Sequence, residues 1–201
     1  MDYKFLAKIL LVGNSGVGKT SLMLRFTNDQ FSLNHIPTIG VDYKMKKVEI
    51  EGERVNLQLW DTAGTEVYNT ITRSFFRSAH GILLCYSVDD ANSFNQVSGW
   101  IKQITQCSPE NIQIILVGNK CELKEEDRLI SFEQGEKLAL SYGLGFKEVS
   151  AFEGINVEEA FGTLVRNIMI NKGQLNGVLD GRDCKLSKNE GKVQKKYTCG
   201  C

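Results

Sequence analysis

From Phe5 onward, short apolar runs alternate with longer stretches whose apolar positions recur every three or four residues. The short runs predict strands at Phe5 to Val12, Val41 to Ile50, Arg54 to Trp60, Gly81 to Val88, Ile112 to Val117 and Phe146 to Val149. Glu51-Gly52-Glu53 lies between the second and third runs and marks a tight turn, so those two strands should pair antiparallel. The 3.6-residue pattern predicts helices near 20–27, 92–106, 131–142 and 155–170. Ser131 with Gln134 three residues on has the form of a capping box that starts one of them. Strands that alternate with helices predict an α/β fold: a six-stranded, mostly parallel sheet with one antiparallel strand and helices on both faces. Ligands bind such sheets at the carboxyl ends of the strands. After about Lys172 the periodicity stops and Gly, Asn, Lys and Ser dominate. The pattern divides the chain into a domain over residues 1–171 and a disordered tail over 172–201.

The first loop at a strand end carries the strongest chemistry. Gly13-Asn14-Ser15-Gly16-Val17-Gly18-Lys19-Thr20 follows the run ending at Val12 and precedes the helical Ser21-Leu22-Met23-Leu24-Arg25-Phe26. Glycines let the backbone curl so that successive N–H groups aim at one anion, and the helix N-terminus adds partial positive charge there. The Lys19 ammonium can reach β- and γ-phosphates, and the Thr20 hydroxyl can ligate Mg²⁺. This P-loop pattern implies that the chain binds a nucleoside triphosphate.

Composition removes several other classes. The formal net charge is zero, so long-range attraction to nucleic acid is not expected. No apolar stretch is long enough to span a bilayer, Met1-Asp2-Tyr3-Lys4 does not open a secretion signal, and Asp2 stands where N-myristoylation needs glycine. The six cysteines do not read as a disulfide framework. Cys85 sits inside the apolar run Ile82 to Tyr86, Cys107 and Cys121 near loops, and Cys184 in the polar tail. A reducing, cytosolic compartment is the expectation.

Weaker signals fall at the other strand ends. Asp61, in Trp60-Asp61-Thr62-Ala63-Gly64, follows the third strand, faces the phosphate loop and can hold Mg²⁺ through water. Gly64 leaves its N–H free to approach a γ-phosphate, and Thr38 in Pro37-Thr38-Ile39-Gly40 offers a further hydroxyl to the metal. Asn119-Lys120 and Ser150-Ala151 end two more strands, where a base would be read. The Glu122 carboxylate can accept from the ring N–H and exocyclic amine of guanine, a pair of donors adenine lacks. Phe31 or Lys120 can cover the faces of the base.

The loop, Pro-Thr, Asp-x-x-Gly, Asn-Lys and Ser-Ala stand in the order and spacing of the Ras-like small GTPases. Five stretches resemble the Rab branch: Ile39 to Tyr43, Leu57 to Trp60, Tyr68 to Thr72, Ser74 to Ile82, and Tyr86-Ser87 through Ser93-Phe94. The resemblance covers about residues 5–171 and the last three residues. It implies a GTP/GDP switch that hydrolyses GTP and directs vesicle traffic on the cytoplasmic face of intracellular membranes, cycling with the cytosol. Implied nucleotide-binding residues are Asn14, Ser15, Gly16, Val17, Gly18, Lys19, Thr20, Ser21, Phe31, Pro37, Thr38, Gly64, Asn119, Lys120, Glu122, Ser150, Ala151 and Phe152. Thr20, Thr38 and Asp61 would hold Mg²⁺, while Lys19, Thr38, Gly64 and Thr65 would serve hydrolysis. Tyr43, Trp60 and Phe75 match an aromatic cluster that effectors read. The implied partners are effectors, an exchange factor, a GTPase-activating protein and a prenyl carrier or GDP-dissociation inhibitor, acting on a monomer.

Three positions depart from that family. Thr65 stands where glutamine orients the attacking water, and its short side chain lacks the reach and the separated donor and acceptor of a carboxamide. Slow intrinsic hydrolysis is therefore expected, rescued where a partner supplies catalytic groups in trans. Glu122 replaces aspartate and lies one methylene further out, which predicts weaker guanine binding and faster exchange. Phe152 replaces lysine after Ser150-Ala151, with little consequence expected.

The terminal Cys199-Gly200-Cys201 resembles the Rab signal for attaching a geranylgeranyl group to each cysteine. Two chains give stable anchoring where one gives only marginal binding. Lys172, Arg182, Lys185, Lys188, Lys192, Lys195 and Lys196 outnumber Asp180, Asp183 and Glu190 in the tail and favour an anionic leaflet. Two rival readings are a GTP-binding adaptor that does not hydrolyse and a P-loop kinase. The kinase needs an arginine-rich lid, and no such segment is present.

Overall fold

The turn at Glu51-Gly52 sets the edge of the sheet. Both residues have positive φ, 51° and 80°, which is the two-residue hairpin geometry whose twist matches its flanking strands. It joins β2 (Val41–Ile50) to β3 (Glu53–Thr62) in antiparallel register, with Ile50 opposite Glu53 and Val41 opposite Thr62. The computed structural model describes residues 5–32, 38, 40–62 and 69–175, with side chains omitted at 69–73. Among these, β1 (Phe5–Val12), β4 (Gly81–Ser87), β5 (Gln113–Asn119) and β6 (Gly145–Val149) complete one sheet in the order β2-β3-β1-β4-β5-β6. Every pairing except β2 with β3 is parallel. The expected sheet is therefore present. All seven residues of β4 are buried, as a central parallel strand covered on both faces requires. Edge strand β2 instead alternates half-buried with exposed positions and carries Lys44, Lys46 and Lys47, which discourage pairing with another chain.

Helices α1 (Lys19–Asn28) and α6 (Val157–Asn171) cover one face. Their Phe26 and Phe161 rings stack with centroids 3.9 Å apart. The other face packs against α2 (Asn69–Ser78), α3 (Ala91–Asn95), α4 (Val97–Cys107) and α5 (Phe132–Ser141). The capping box forms as expected: the Ser131 N–H donates to Gln134 Oε1 at 2.8 Å, and the Gln134 N–H donates to Ser131 Oγ. A short 3₁₀ turn at Glu125–Asp127 precedes it.

The structure differs from the sequence reading in two elements. Helix α2 was not expected, because Asn69-Thr70-Ile71-Thr72 is rich in β-branched and cap-type residues with low helix propensity. Its C-terminal end instead docks Phe76, which is 1 % exposed, into the core. The helix expected over 92–106 is divided at Gln96. That residue keeps right-handed helical angles, its N–H donates to Asn92 O, and its carbonyl accepts from the Trp100 N–H. The hydrogen-bond ladder thus runs on through a one-residue interruption. The helix begins at Ala91 because Asp90 Oδ1 accepts from the main-chain N–H groups of Asn92 and Ser93. Pro37, Gly64, Thr65, Cys199, Cys201 and the tail from 176 onward, expected to be disordered, lie outside the described residues.

Candidate polyphosphate and divalent-cation site

Four strands deliver the candidate residues to one end of the sheet. The loop after β1 folds tightly against β4 and β5. Gly13 has φ 139°, and a Cβ there would lie 2.1 Å from Cys85 O; at Gly18, with φ 92°, it would lie 2.3 Å from Asn119 Nδ2. Both positions therefore need glycine for conformation and for space. Gly18 caps α1 with no side-chain hydrogen bond, so the first amides of that helix keep their donors for an anion.

Lys19 opens α1 and is 5 % exposed. Its Nζ donates to Gly13 O at 2.9 Å and Asn14 O at 2.7 Å. An ammonium has three donors, so one remains for a ligand inside the loop. Burial lowers the Lys19 pKa, against the opposing charge of Asp61. Asp61 lies near the end of β3, between Leu11 of β1 and Asp42 of β2, and is fully buried. Its Oδ2 accepts from Thr20 Oγ1 and, at 3.2 Å, from Thr38 Oγ1. The two threonine hydroxyl oxygens lie 2.8 Å apart. Asp61 Oδ1 is buried with no partner. Burial raises the Asp61 pKa, offset by the Thr20 hydroxyl and by Lys19. Three hard oxygens with an unsatisfied fourth beside them suit Mg²⁺.

A cavity of about 450 Å³ adjoins this cluster, lined by Gly16, Gly18, Ser21, Phe31, Ser32, Asn119, Lys120, Glu122, Leu123, Ala151 and Phe152. Its size falls within the range of small-molecule sites, about 300–1,000 Å³. One Glu122 oxygen, Oε2, is buried with no hydrogen-bond partner. An unsatisfied acceptor in an otherwise apolar slot is the arrangement that selects a ligand bearing N–H donors.

Several expected residues carry duties that the sequence did not reveal. Asn119 ties three loops together: its Nδ2 donates to Val17 O at 2.8 Å, and its Oδ1 accepts from the Ala151 N–H at 3.2 Å. Lys120 lines the cavity, but its ammonium pairs with Asp89 at 2.9 Å, so only the stem is available to a ligand. Ser150 is buried and absent from the cavity wall; its Oγ accepts from the Glu153 N–H at 2.8 Å and shapes the turn. Phe152, expected to matter little, meets Phe31 edge-on with centroids 5.2 Å apart at the rim. Asn14 accepts at Oδ1 from Trp100 Nε1 at 2.9 Å, which fastens the loop to α4. Ser15 is exposed.

Arg25 was overlooked. Its Nε donates to Ala151 O at 2.9 Å and its Nη2 to Phe152 O at 2.7 Å, clamping the loop after β6 to α1. Leu123, Asp89 and Trp100 were missed as well, and no local pattern marks any of them. Away from the cavity, Tyr43, Trp60 and Phe75 form the expected aromatic cluster, with successive centroid separations of 4.8 and 5.1 Å. Cys85, Cys107 and Cys121 are free thiols, and burial pushes that of Cys85 up to about 12.

Comparison with known proteins places this geometry in context. The Ras family model matches residues 8–170. The chain is 41 % identical to Ras-related protein Rab-8B of Homo sapiens, covering 98 % of this chain and 97 % of that protein. It is 49 % identical to GTP-binding protein ypt2 of Schizosaccharomyces pombe, over 85 % of each chain. Identity to Ras-related protein RABE1d of Arabidopsis thaliana is 42 %, over 94 % of this chain and 88 % of that one.

Proposed function

The chain belongs to the Ras family, in its Rab branch, and from that membership we propose a Mg²⁺-dependent GTP/GDP switch in membrane traffic whose own hydrolysis is slow. What supports the reading is the adjacency of two cradles. The oxygens of Thr20, Thr38 and Asp61 converge beside Lys19, and the neighbouring slot holds the unpaired Glu122 oxygen. In this scheme the glycine loop and the remaining Lys19 donor take the β- and γ-phosphates. Phe31 and Phe152 cover the base at the cavity mouth, and Glu122 accepts from guanine. Mg²⁺, when bound, neutralises charge that develops on the phosphates. Thr38 is the sensor, because its hydroxyl would serve as a ligand to Mg²⁺ only while the triphosphate is present. Gly64 and Thr65 act on the terminal phosphate and the attacking water, and Pro37 positions Thr38. Residues 1–171 form the switch domain and 172–201 the tether. Geranylgeranyl groups on Cys199 and Cys201 hold the protein to a membrane, between effectors and regulators that act on each nucleotide state.

Thr65→Gln tests the slow-hydrolysis element. Single-turnover hydrolysis should accelerate on the order of tenfold, or about 1.4 kcal/mol of transition-state stabilisation. An unchanged rate would remove Thr65 as the cause. The adaptor reading also rests on Thr65, and predicts no phosphate release even with a matched activating protein.

Glu122→Asp tests the base contact. Shortening the side chain by one methylene should slow GDP release on the order of tenfold, the low end of what one methylene is worth in a fitted pocket. Phe152→Lys should act in the opposite sense, speeding release about threefold through the lost ring contact. Equal off-rates in all three proteins would mean that the base lies elsewhere.

A further inference from the structure

At the end of the sheet away from the proposed switch site, where β4 and β5 begin and α6 ends, lies a second cavity of about 210 Å³. Its wall comes from three stretches distant in sequence: Arg77 to His80 at the end of α2, the loop that leads into β5, and the C-terminus of α6. Hydrogen bonds hold the three together. The Gln113 N–H donates to His80 O at 3.3 Å and Asn171 Nδ2 to Asn111 O at 2.9 Å, while the His80 N–H donates to Lys8 O of β1 at 2.8 Å.

The charge of this wall is one-sided. Arg77, His80 and Lys172 line it and, among the described residues, no aspartate or glutamate does. The Lys8 main-chain N–H donates to His80 Nδ1 at 2.9 Å. That bond uses the ring's acceptor, so the neutral imidazole carries its proton on Nε2 and is a donor there. Burial, and then the charges of Lys172 and Lys8, hold the His80 pKa below its ordinary value. A guanidinium, an ammonium and an imidazole N–H gathered on a small polar cavity form a donor set suited to a compact dianion. The volume lies below the range for drug-sized ligands, about 300–1,000 Å³, and suits a single phosphate group.

We propose that this cavity is a second anion site, separate from the switch site, that binds a phosphate monoester through Arg77, His80 and Lys172. A phosphorylated inositol lipid headgroup and a soluble phosphate ester share that chemistry. The site does not depend on the nucleotide reading, since none of its residues belongs to the first cavity.

The test uses the full 201-residue chain with GDP and Mg²⁺ in excess. One arm titrates inositol 1,4,5-trisphosphate by calorimetry. The other compares vesicles containing phosphatidylinositol 4-phosphate with vesicles of equal charge containing phosphatidylserine, which carries only a phosphodiester. Saturable one-to-one binding is expected, weakened at least about tenfold in Arg77→Gln/Lys172→Gln, a difference of about 1.4 kcal/mol. GDP release should be the same in both proteins. Preference for the phosphatidylinositol 4-phosphate vesicles assigns a membrane source, and binding of the soluble ester without vesicle preference assigns a soluble one. Absence of saturable binding to either probe overturns the proposal. So does equal binding by the double variant, or competition between the trisphosphate and GDP.

Discussion

Replacing Asn119 with alanine should release bound GDP about a hundredfold faster, from roughly 2–6 kcal/mol of lost buried hydrogen bonding shared between folding and ligand retention. The residue is 2 % exposed, and both ends of its carboxamide are spent on main chain. Truncation strands the Val17 carbonyl and the Ala151 N–H, one in the loop after β1 and the other in the cavity wall after β6. Each costs about 1–3 kcal/mol when left unpaired. Aspartate at this position should fare no better. It can still accept from the Ala151 N–H, but it sets a carboxylate oxygen against the Val17 carbonyl. Release of a fluorescent GDP analogue, with thermal melting as the control for folding, measures both effects. A wild-type off-rate in the alanine variant would mean that the two loops are held by other contacts.

Removal of Arg128 should produce the largest loss of stability, about 3–5 kcal/mol, as for any buried ion pair stripped of one partner. For a chain of this size the melting temperature should fall by roughly 6–20 °C. Arg128 Nη2 lies 2.5 Å from Glu148 Oε1, with side chains only 11 % and 10 % exposed. The hydrogen bond to Glu148 raises the Arg128 pKa further. Without the guanidinium, the Glu148 carboxylate is left near the buried Tyr86 hydroxyl, which has no partner of its own. Burial, and then Glu148, raise the pKa of that phenol. The effect reaches the site because Glu148 is the penultimate residue of β6, and its carbonyl accepts from Asn156 Nδ2 at 2.9 Å. Chemical denaturation of Arg128→Ala, and of Arg128→Ala/Glu148→Gln, separates the terms. The double variant should recover part of the loss, since the stranded charge is gone. A change of less than about 1 kcal/mol in the single variant would show the pair to be solvated and weak.

Arg128 carries no signal in the sequence, and Asn119 stands out there only as a strand-end residue of a motif, not as a tie between loops. The phosphate loop is legible because its chemistry is contiguous: glycines, lysine and threonine occupy consecutive positions between a strand and a helix. Asp61, Thr38 and Glu122 were legible only through their places at strand ends and through the family resemblance. Arg25 was invisible, since its partners in the Ala151 loop lie 126 residues away. The same holds for Trp100 and Asn14, separated by 86 residues. Phe152 read as a neutral replacement, because a local comparison of side chains does not include the Phe31 ring it meets.

The sequence alone determined the order and kind of most elements, the hairpin at Glu51-Gly52, the helix start at Ser131 and the anion-binding character of the first loop. Each of these depends on φ, ψ, capping or burial period within a few residues, and that information is local. Tertiary structure alone decided that α2 exists against its own propensity, that Asn119 and Arg25 act as ties, and that Lys120 is engaged by Asp89. It also decided that Arg77, His80 and Lys172 share one cavity. These outcomes depend on which strand ends become neighbours when the sheet closes in its 2-3-1-4-5-6 order. That closure is fixed by packing across the whole core, and no window along the chain contains it.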